Sequence, residues 1–196
     1  PPVIGFDTTN GFEYQQPYYW NIAPNRDLTL YPELMSNRGV NVGTEFRYLE
    51  KTYSGQIRVD EMPSDSLRGI NRWGLWAKHD QQFDPKPFGL DSLSTSFNIN
   101  RVSDDDYWRD FSHTPTLTSR TLTNEFDLNW TKGDWSGQAR TLAYQTLQYA
   151  ASPITPSYNR VPQITANYNK YDWHGFADDV LAVVDVSGHG MAAALV

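Results

Sequence analysis

Apolar and polar residues alternate with a period of two from residue 11 to about residue 173, the pattern of strands with one greasy and one wet face. In a first predicted strand, Phe12, Tyr14, Tyr18, Trp20 and Ile22 share one face, with Glu13, Gln15 and Asn21 on the other. A turn over residues 23–26 leads into a second strand over residues 28–35. Asn37-Arg38-Gly39 is a turn signal, because glycine accepts the positive φ of a tight hairpin. The next strand alternates cleanly: Val40, Val42, Thr44, Phe46 and Tyr48 against Asn41, Gly43, Glu45 and Arg47.

The same reading continues along the chain. Ile57 and Val59 alternate with Gln56, Arg58 and Asp60; a polar loop is expected over residues 63–71; residues 73–79 read as a strand. Leu93, Thr95, Phe97 and Ile99 alternate with serines and asparagines, and residues 103–115 read as a long acidic, aromatic loop. Leu122, Phe126, Leu128 and Trp130 mark another strand; residues 135–148 and 163–173 supply two more. The total is roughly nine antiparallel strands, with short turns expected at one end and longer polar loops at the other.

Two prolines fall inside predicted strands, not at turns. Proline has no N–H to give to a ladder and is usually confined to edges, strand starts and bulges. With the turn centred between Pro24 and Asn25, Pro17 and Pro32 would face each other at the same height; a turn one residue later would offset them by two. Either way the first hairpin loses hydrogen bonds in one zone. This is open to two readings: an edge hairpin protected against aggregation, or a weak seam.

Composition narrows the setting. The longest apolar runs, residues 180–184 and 191–196, fall far short of the roughly 20 residues of a spanning helix. A spanning strand needs only about 9–11 residues and looks hydrophilic on average. Aromatics make up 14% of the chain; they fit a membrane-interface belt or the core and sugar-binding face of a soluble β-domain. The net charge of −7 argues against nucleic acid as a partner. With no cysteine there is neither a disulfide framework nor thiolate chemistry. The start, Pro1-Pro2-Val3, lacks a basic and an apolar leader region and reads as internal to a longer product.

Candidate chemistry is sparse. Asp104-Asp105-Asp106 with Asp110 lacks the alternating spacing of a calcium loop and reads as a solvated acidic cluster. His79, His113 and His174 are isolated and lack metal-ligand spacing. No nucleophile elbow or phosphate-binding glycine loop occurs. No catalytic residue, cofactor site or metal site is assigned, and the chain is not expected to be an enzyme.

The run from Pro17-Tyr18-Tyr19-Trp20-Asn21-Ile22-Ala23-Pro24-Asn25 through Tyr31-Pro32 resembles the opening barrel strands of the outer-membrane lipopolysaccharide-assembly (LptD) family. So do Glu45-Phe46-Arg47-Tyr48-Leu49, Met62-Pro63-Ser64-Asp65, Arg72-Trp73, the segment from Val102 to Phe111, and Tyr158-Asn159-Arg160-Val161-Pro162-Gln163. The resemblance covers about residues 5–176. It implies an all-β, antiparallel transmembrane β-barrel in the cell outer membrane, incomplete here, since the family's barrel has many more strands. It implies insertion of lipopolysaccharide into the outer leaflet, with lateral release through a seam weakened at Pro17 and Pro32. It also implies a plug lipoprotein, LptE, and a periplasmic bridge protein, LptA, which docks through an N-terminal domain missing from these residues. Residues 177–196 do not fit this pattern. The run from Val180 through Asp185, Gly188-His189-Gly190 and on to Leu195 reads as a buried strand, a glycine turn and a helix start, and resembles the metal-binding strand and turn of SpoIIE/RsbU-type metal-dependent serine/threonine phosphatases, in which the residue matching Asp185 helps bind metal. The partner carboxylates of that family have no counterpart here. The alternatives to a transport barrel are a soluble glycan-binding β-sandwich and a truncated phosphatase.

Overall fold

The computed structural model describes residues 1–84, 87–111, 120–170 and 180–187. His113, His174 and the Gly188-His189-Gly190 turn lie outside them. The described strands are β1 (Val3–Asp7), β2 (Gly11–Gln15), β3 (Tyr18–Ala23), β4 (Arg26–Met35), β5 (Gly39–Leu49), β6 (Tyr53–Asp65), β7 (Ile70–Gln82), β8 (Ser92–Val102), β9 (Thr121–Lys132), β10 (Trp135–Thr146), β11 (Arg160–Lys170) and β12 (Val180–Ser187). One short helix, α1 (Tyr107–Asp110), lies between β8 and β9.

All twelve strands belong to one sheet. Its order is β1-β2-β4-β5-β6-β7-β8-β9-β10-β11-β12, with β3 pairing β4 as the continuation of β2. Each recorded ladder is antiparallel. The described strands therefore form an open sheet, an incomplete barrel, and not the two facing sheets of a sandwich. The nine strands expected from alternation are present, but the first is split at Gln16-Pro17 into β2 and β3, so Pro17 lies between strands and not inside one. β1 was not expected. The predicted strand of the tail, β12, joins the same sheet, with Thr165 opposite Asp185.

The ladders fix which residues share a face. Phe46 lies opposite Leu28 and Ile57, Ile57 opposite Ala77, and Ala77 opposite Ile99. This row is apolar throughout. One residue along, Arg47 opposes Asp27, Glu45 opposes Arg58, and Arg140 opposes Asp127. Directly opposed charges of opposite sign stabilise neighbouring strands; Arg47 Nε donates to Asp27 Oδ1 at 2.8 Å. On the apolar face Arg101 stands near the end of β8, while Glu61 lies inside β6, the ninth of its thirteen residues. Large apolar side chains there remain open to the surroundings: Trp20 is 55% exposed, Val40 48% and Trp135 48%.

The expected loop asymmetry is only partial. Residues 103–120 and 147–159 form long connections at one end, but three short turns, at residues 8–10, 36–38 and 66–69, share that end. The predicted loop over residues 63–71 is mostly strand, because β6 runs to Asp65 and β7 starts at Ile70.

At the apolar surface near the β5–β6 turn, Phe46, Tyr48, Tyr53, His79 and Phe97 form a run of ring contacts 5.2–6.1 Å between centroids. Tyr48 folds over Gly55 of the neighbouring strand, and its hydroxyl meets His79 Nδ1 at 2.7 Å. Most of the buried apolar core lies on the opposite, polar face, where Met35, Met62, Trp76 and Val102 stand on the strands. The core consists of Met35, Met62, Val102, Tyr107, Phe111, Leu122 and Leu147, with Trp76 packed against it. That core exists because the connection after β8 folds back over the sheet and lays Tyr107 and Phe111 on it.

Candidate functional site

The first hairpin is broken where the two prolines meet it. Ala23 pairs Arg26, so the turn is centred between Pro24 and Asn25 as the pattern predicts. Ile22 is then an extra, bulged residue, and below it Tyr18 opposes Leu30. The same register continues in β2, where Gln15 opposes Glu33. Pro17 and Pro32 are therefore not opposite one another. The bulge displaces them by one position, so Gln16 faces Pro32 and donates its N–H to the Pro32 carbonyl at 3.1 Å.

This offset separates the effects of the two prolines. A residue in an antiparallel strand points its N–H and C=O to the same side, and successive residues alternate sides. Pro32 points its carbonyl at Gln16 and has no N–H to return, so half of that pair of bonds is missing from the hairpin. Gln16 faces β4, so Pro17 faces away from it. The donor missing at Pro17 is lost from the outer edge of the sheet, not from the hairpin. The expectation that both prolines weaken the hairpin is corrected: one weakens each side of the same strand.

A second constellation lies at the end of the sheet near the β4–β5 turn. Arg38 and Arg72 are each about 1% exposed, and Asp65 is fully buried. Arg72 Nη1 donates to Asp65 at 3.0 Å and to Asp110 at 2.8 Å, while Arg72 Nε and Nη2 grip Asp104 at 3.0 and 2.8 Å. Arg38 Nη1 donates to Asp65 at 2.7 Å and its Nε to Asn10 at 2.6 Å. Arg68 closes the set with bonds to Asp106 and to both oxygens of Asp110. The two buried guanidinium groups also stack on rings: Arg72 lies 4.7 Å from the Phe111 centroid and Arg38 5.6 Å from it.

The planar five-donor fork of arginine suits this shared use of carboxylates. Burial alone would raise the Asp110 carboxyl, but the bonds from Arg68 and Arg72 and the nearby Arg38 charge outweigh it and hold it below the ordinary carboxylate range. Burial, helped by the Asp60 charge, pushes the Tyr107 phenol far above its usual range, so it stays protonated. The acidic run expected to be a solvated loop is thus the counter-charge of a buried arginine clamp. Among the described residues no group of carboxylates and histidines is arranged to hold a metal. His79 sits in the aromatic run already described.

Between the first hairpin and the clamp, on the polar face, is a cavity of about 370 Å³. Tyr31, Glu33, Arg58, Asp60 and Tyr107 line it, with Val3 and Gly5 of β1 at its outer side. Arg58 lies 4.9 Å from the Tyr31 ring centroid and bonds Asp60. This is a polar recess against the edge of the sheet, its lining acidic overall, with Glu13, Glu33 and Asp60 around the single Arg58.

A family model described as LptD, LPS transport system D, matches residues 70–183. The chain belongs to the LptD family. It is 51% identical over 181 residues to the LPS-assembly protein LptD of Albidiferax ferrireducens, covering 90% of this chain and 23% of that protein. It is 47% identical over 186 residues to the LptD of Acidovorax sp. strain JS42, covering 91% and 22%, and 42% identical over 176 residues to that of Ralstonia nicotianae, covering 89% and 21%. The chain thus spans about a fifth of the length of these curated relatives.

In this LptD-family chain, sequence reasoning located both prolines but missed the clamp. Arg38 sat in a turn signal, and Arg68 in an expected polar loop. The available signal was the excess of arginine and aspartate in three separate connections at one end of the sheet. Pairing them requires the fold.

Proposed function

We propose that this chain is the opening part of an outer-membrane barrel that assembles lipopolysaccharide in the outer leaflet. The observation that carries this reading is the continuous two-faced sheet. Its apolar rows are dominated by uncharged side chains, and its polar rows carry opposed charges. A sheet immersed in lipid must close, because unpaired backbone groups in hydrocarbon cost several kcal/mol each. Further strands of the longer protein close this one. The apolar face meets acyl chains, and the polar face lines a passage wet enough for the saccharide part of the cargo.

Within this reading, lipopolysaccharide leaves sideways through the seam at the first strand. Pro32 thins the hairpin behind the seam and Pro17 thins the seam edge itself. LptE plugs the passage, and LptA delivers cargo through an N-terminal domain outside these residues. The protein conducts an amphiphile and carries out no chemistry. Residues 1–176 carry the barrel pattern and 177–196 are a tail of other origin, although β12 pairs with β11 and the family match runs to residue 183; repeated sequencing of the locus across codons 174–182 tests that boundary.

Spin labels walked from residue 40 to residue 48 in a bilayer should alternate between oil and water contact at every step. A uniformly wet profile would remove the barrel reading. Replacing Pro17 and Pro32 together in the full-length protein should reduce lipopolysaccharide export, and unchanged export would remove the seam.

A further inference from the structure

The free edge of the sheet is stepped. β1 lies on the outer side of β2, in register from Val3 opposite Gln15 to Asp7 opposite Gly11. Beyond the Gln16–Pro17 break, β3 has β4 on one side and no described strand on the other. β1 therefore occupies the lane next to β2, and among the described residues the continuation of that lane beside β3 is open. Neighbouring strands sit about 4.8 Å apart. A straight strand hydrogen-bonded to β3 would run directly into β1 at the level of Pro17.

β1 is tied down. Asp7 Oδ1 accepts from the N–H groups of Thr9 and Asn10, closing its turn. Asn10 is 3% exposed and accepts from the buried Arg38. Asn37 donates to the Thr9 carbonyl at 3.0 Å, and its own N–H meets the Asn10 carbonyl at 3.0 Å. The turn of the β1–β2 hairpin is thus joined to the β4–β5 turn and to the arginine clamp.

We infer that β1 is a stop strand that limits the barrel seam to the length of β3. The occupant of the β3 edge is the closing strand of the same protein, supplied by the four-fifths of its relatives' length that this chain does not span. The inference rests on the seam reading above and adds a cause to it. The seam is short because its lower lane is already filled, and Pro17 marks the step. By strand alternation, Tyr19 and Asn21 are the β3 residues ahead of the bulge whose N–H and C=O face the closing strand. Pairing over so few residues leaves a seam that can part without unzipping a full-length ladder.

The test uses the full-length protein with its partners in the outer membrane. A photo-crosslinking residue at Tyr14 should give products with residues 3–7 and none with the closing strand; the same probe at Trp20 should reach the closing strand. A Phe6→Cys/Phe12→Cys pair, directly opposed in the ladder, should oxidise in cells and leave export unchanged. Gly5→Pro removes a donor facing Glu13; it should abolish the Tyr14 products with residues 3–7, replace them with products on the closing strand, and lower export. Capture of the closing strand by Tyr14 in the wild type, or loss of export on closing the Phe6–Phe12 disulfide, would overturn the inference. If replacing Pro17 and Pro32 leaves export intact, the seam reading itself fails, whatever Tyr14 captures. If that replacement impairs export while Tyr14 captures the closing strand, only the stop strand is lost.

Discussion

Arg72 and Asp110 stand 38 positions apart in the chain, yet Arg72 Nη1 donates to Asp110 Oδ2 at 2.8 Å, with the arginine side chain fully buried and the carboxylate 7% exposed. The contact fastens the connection after β8 to the polar face of the sheet. It makes Tyr107 and Phe111 part of the core instead of part of a loose loop.

Replacing Arg72 with methionine leaves Asp65, Asp104 and Asp110 short of a donor inside the protein. Breaking a buried pair from one side costs about 3–5 kcal/mol. Urea unfolding of the full-length protein in detergent should show a free energy of unfolding lower by that amount, read as a lower midpoint at unchanged slope. Arg72→Lys keeps the charge but cannot reach three carboxylates with a fork, so its loss should be intermediate, about 1–3 kcal/mol.

The clamp should respond to acid only below the ordinary carboxylate range. Asp110 has its folded pKa lowered, so its stabilising contribution is fully present above the unfolded value, about 3.9 for aspartate. It is lost as pH falls from there through the folded value. A spin label at the exposed Asp105 should keep its restricted spectrum from pH 7 to about 4 and gain mobility only on further acidification. Release near pH 6 would mean that another group holds the segment.

Gly55 is glycine because Tyr48 lies over it. A Cβ there would overlap the Tyr48 hydroxyl and stand 2.6 Å from the Lys78 carbonyl. Gly55→Val should swing the Tyr48 ring away, break its bond to His79 and destabilise the barrel by about 1–3 kcal/mol through overpacking. Loss of the Tyr48–His79 contact can be read from the His79 ring resonances.

β8 and β9 part company beyond Asn98 opposite Glu125, and side chains stand in for the missing ladder. Gln145 accepts from the Val102 N–H at 3.0 Å and donates to the Val102 carbonyl at 2.8 Å; Asn124 accepts from the Asn100 N–H at 3.1 Å. Gln145→Leu would leave both Val102 backbone groups without these partners, at about 1–3 kcal/mol for each group left unsatisfied. Hydrogen exchange at the Val102 amide should quicken, while the Phe97 amide, still inside the ladder, should not change.

Much of this fold was legible along the chain. The alternation of Val40–Tyr48 assigned both faces of β5, the turn between Pro24 and Asn25 fell where expected, and the strand in the tail was anticipated. Alternation failed at β1, whose run Val-Ile-Gly-Phe-Asp is short and apolar on both sides of its glycine. It failed also at the acidic segment, which looks solvated because its counter-charges are elsewhere in the chain.

Period-two patterning is a property of neighbours in sequence, since successive side chains in a strand point to opposite faces whatever lies beside them. The chain alone therefore determined the strands other than β1, their greasy and wet sides, and the place of Pro32 inside one of them, whereas Pro17 falls in the break between β2 and β3. Only the folded molecule decided that a bulge at Ile22 sets Gln16, and not Pro17, against Pro32. It alone brought Arg38, Arg68 and Arg72 to Asp65, Asp104, Asp106 and Asp110, and placed β1 in the lane beside β2. Register and long-range ion pairs depend on what the rest of the sheet places opposite a residue, and that information is not local.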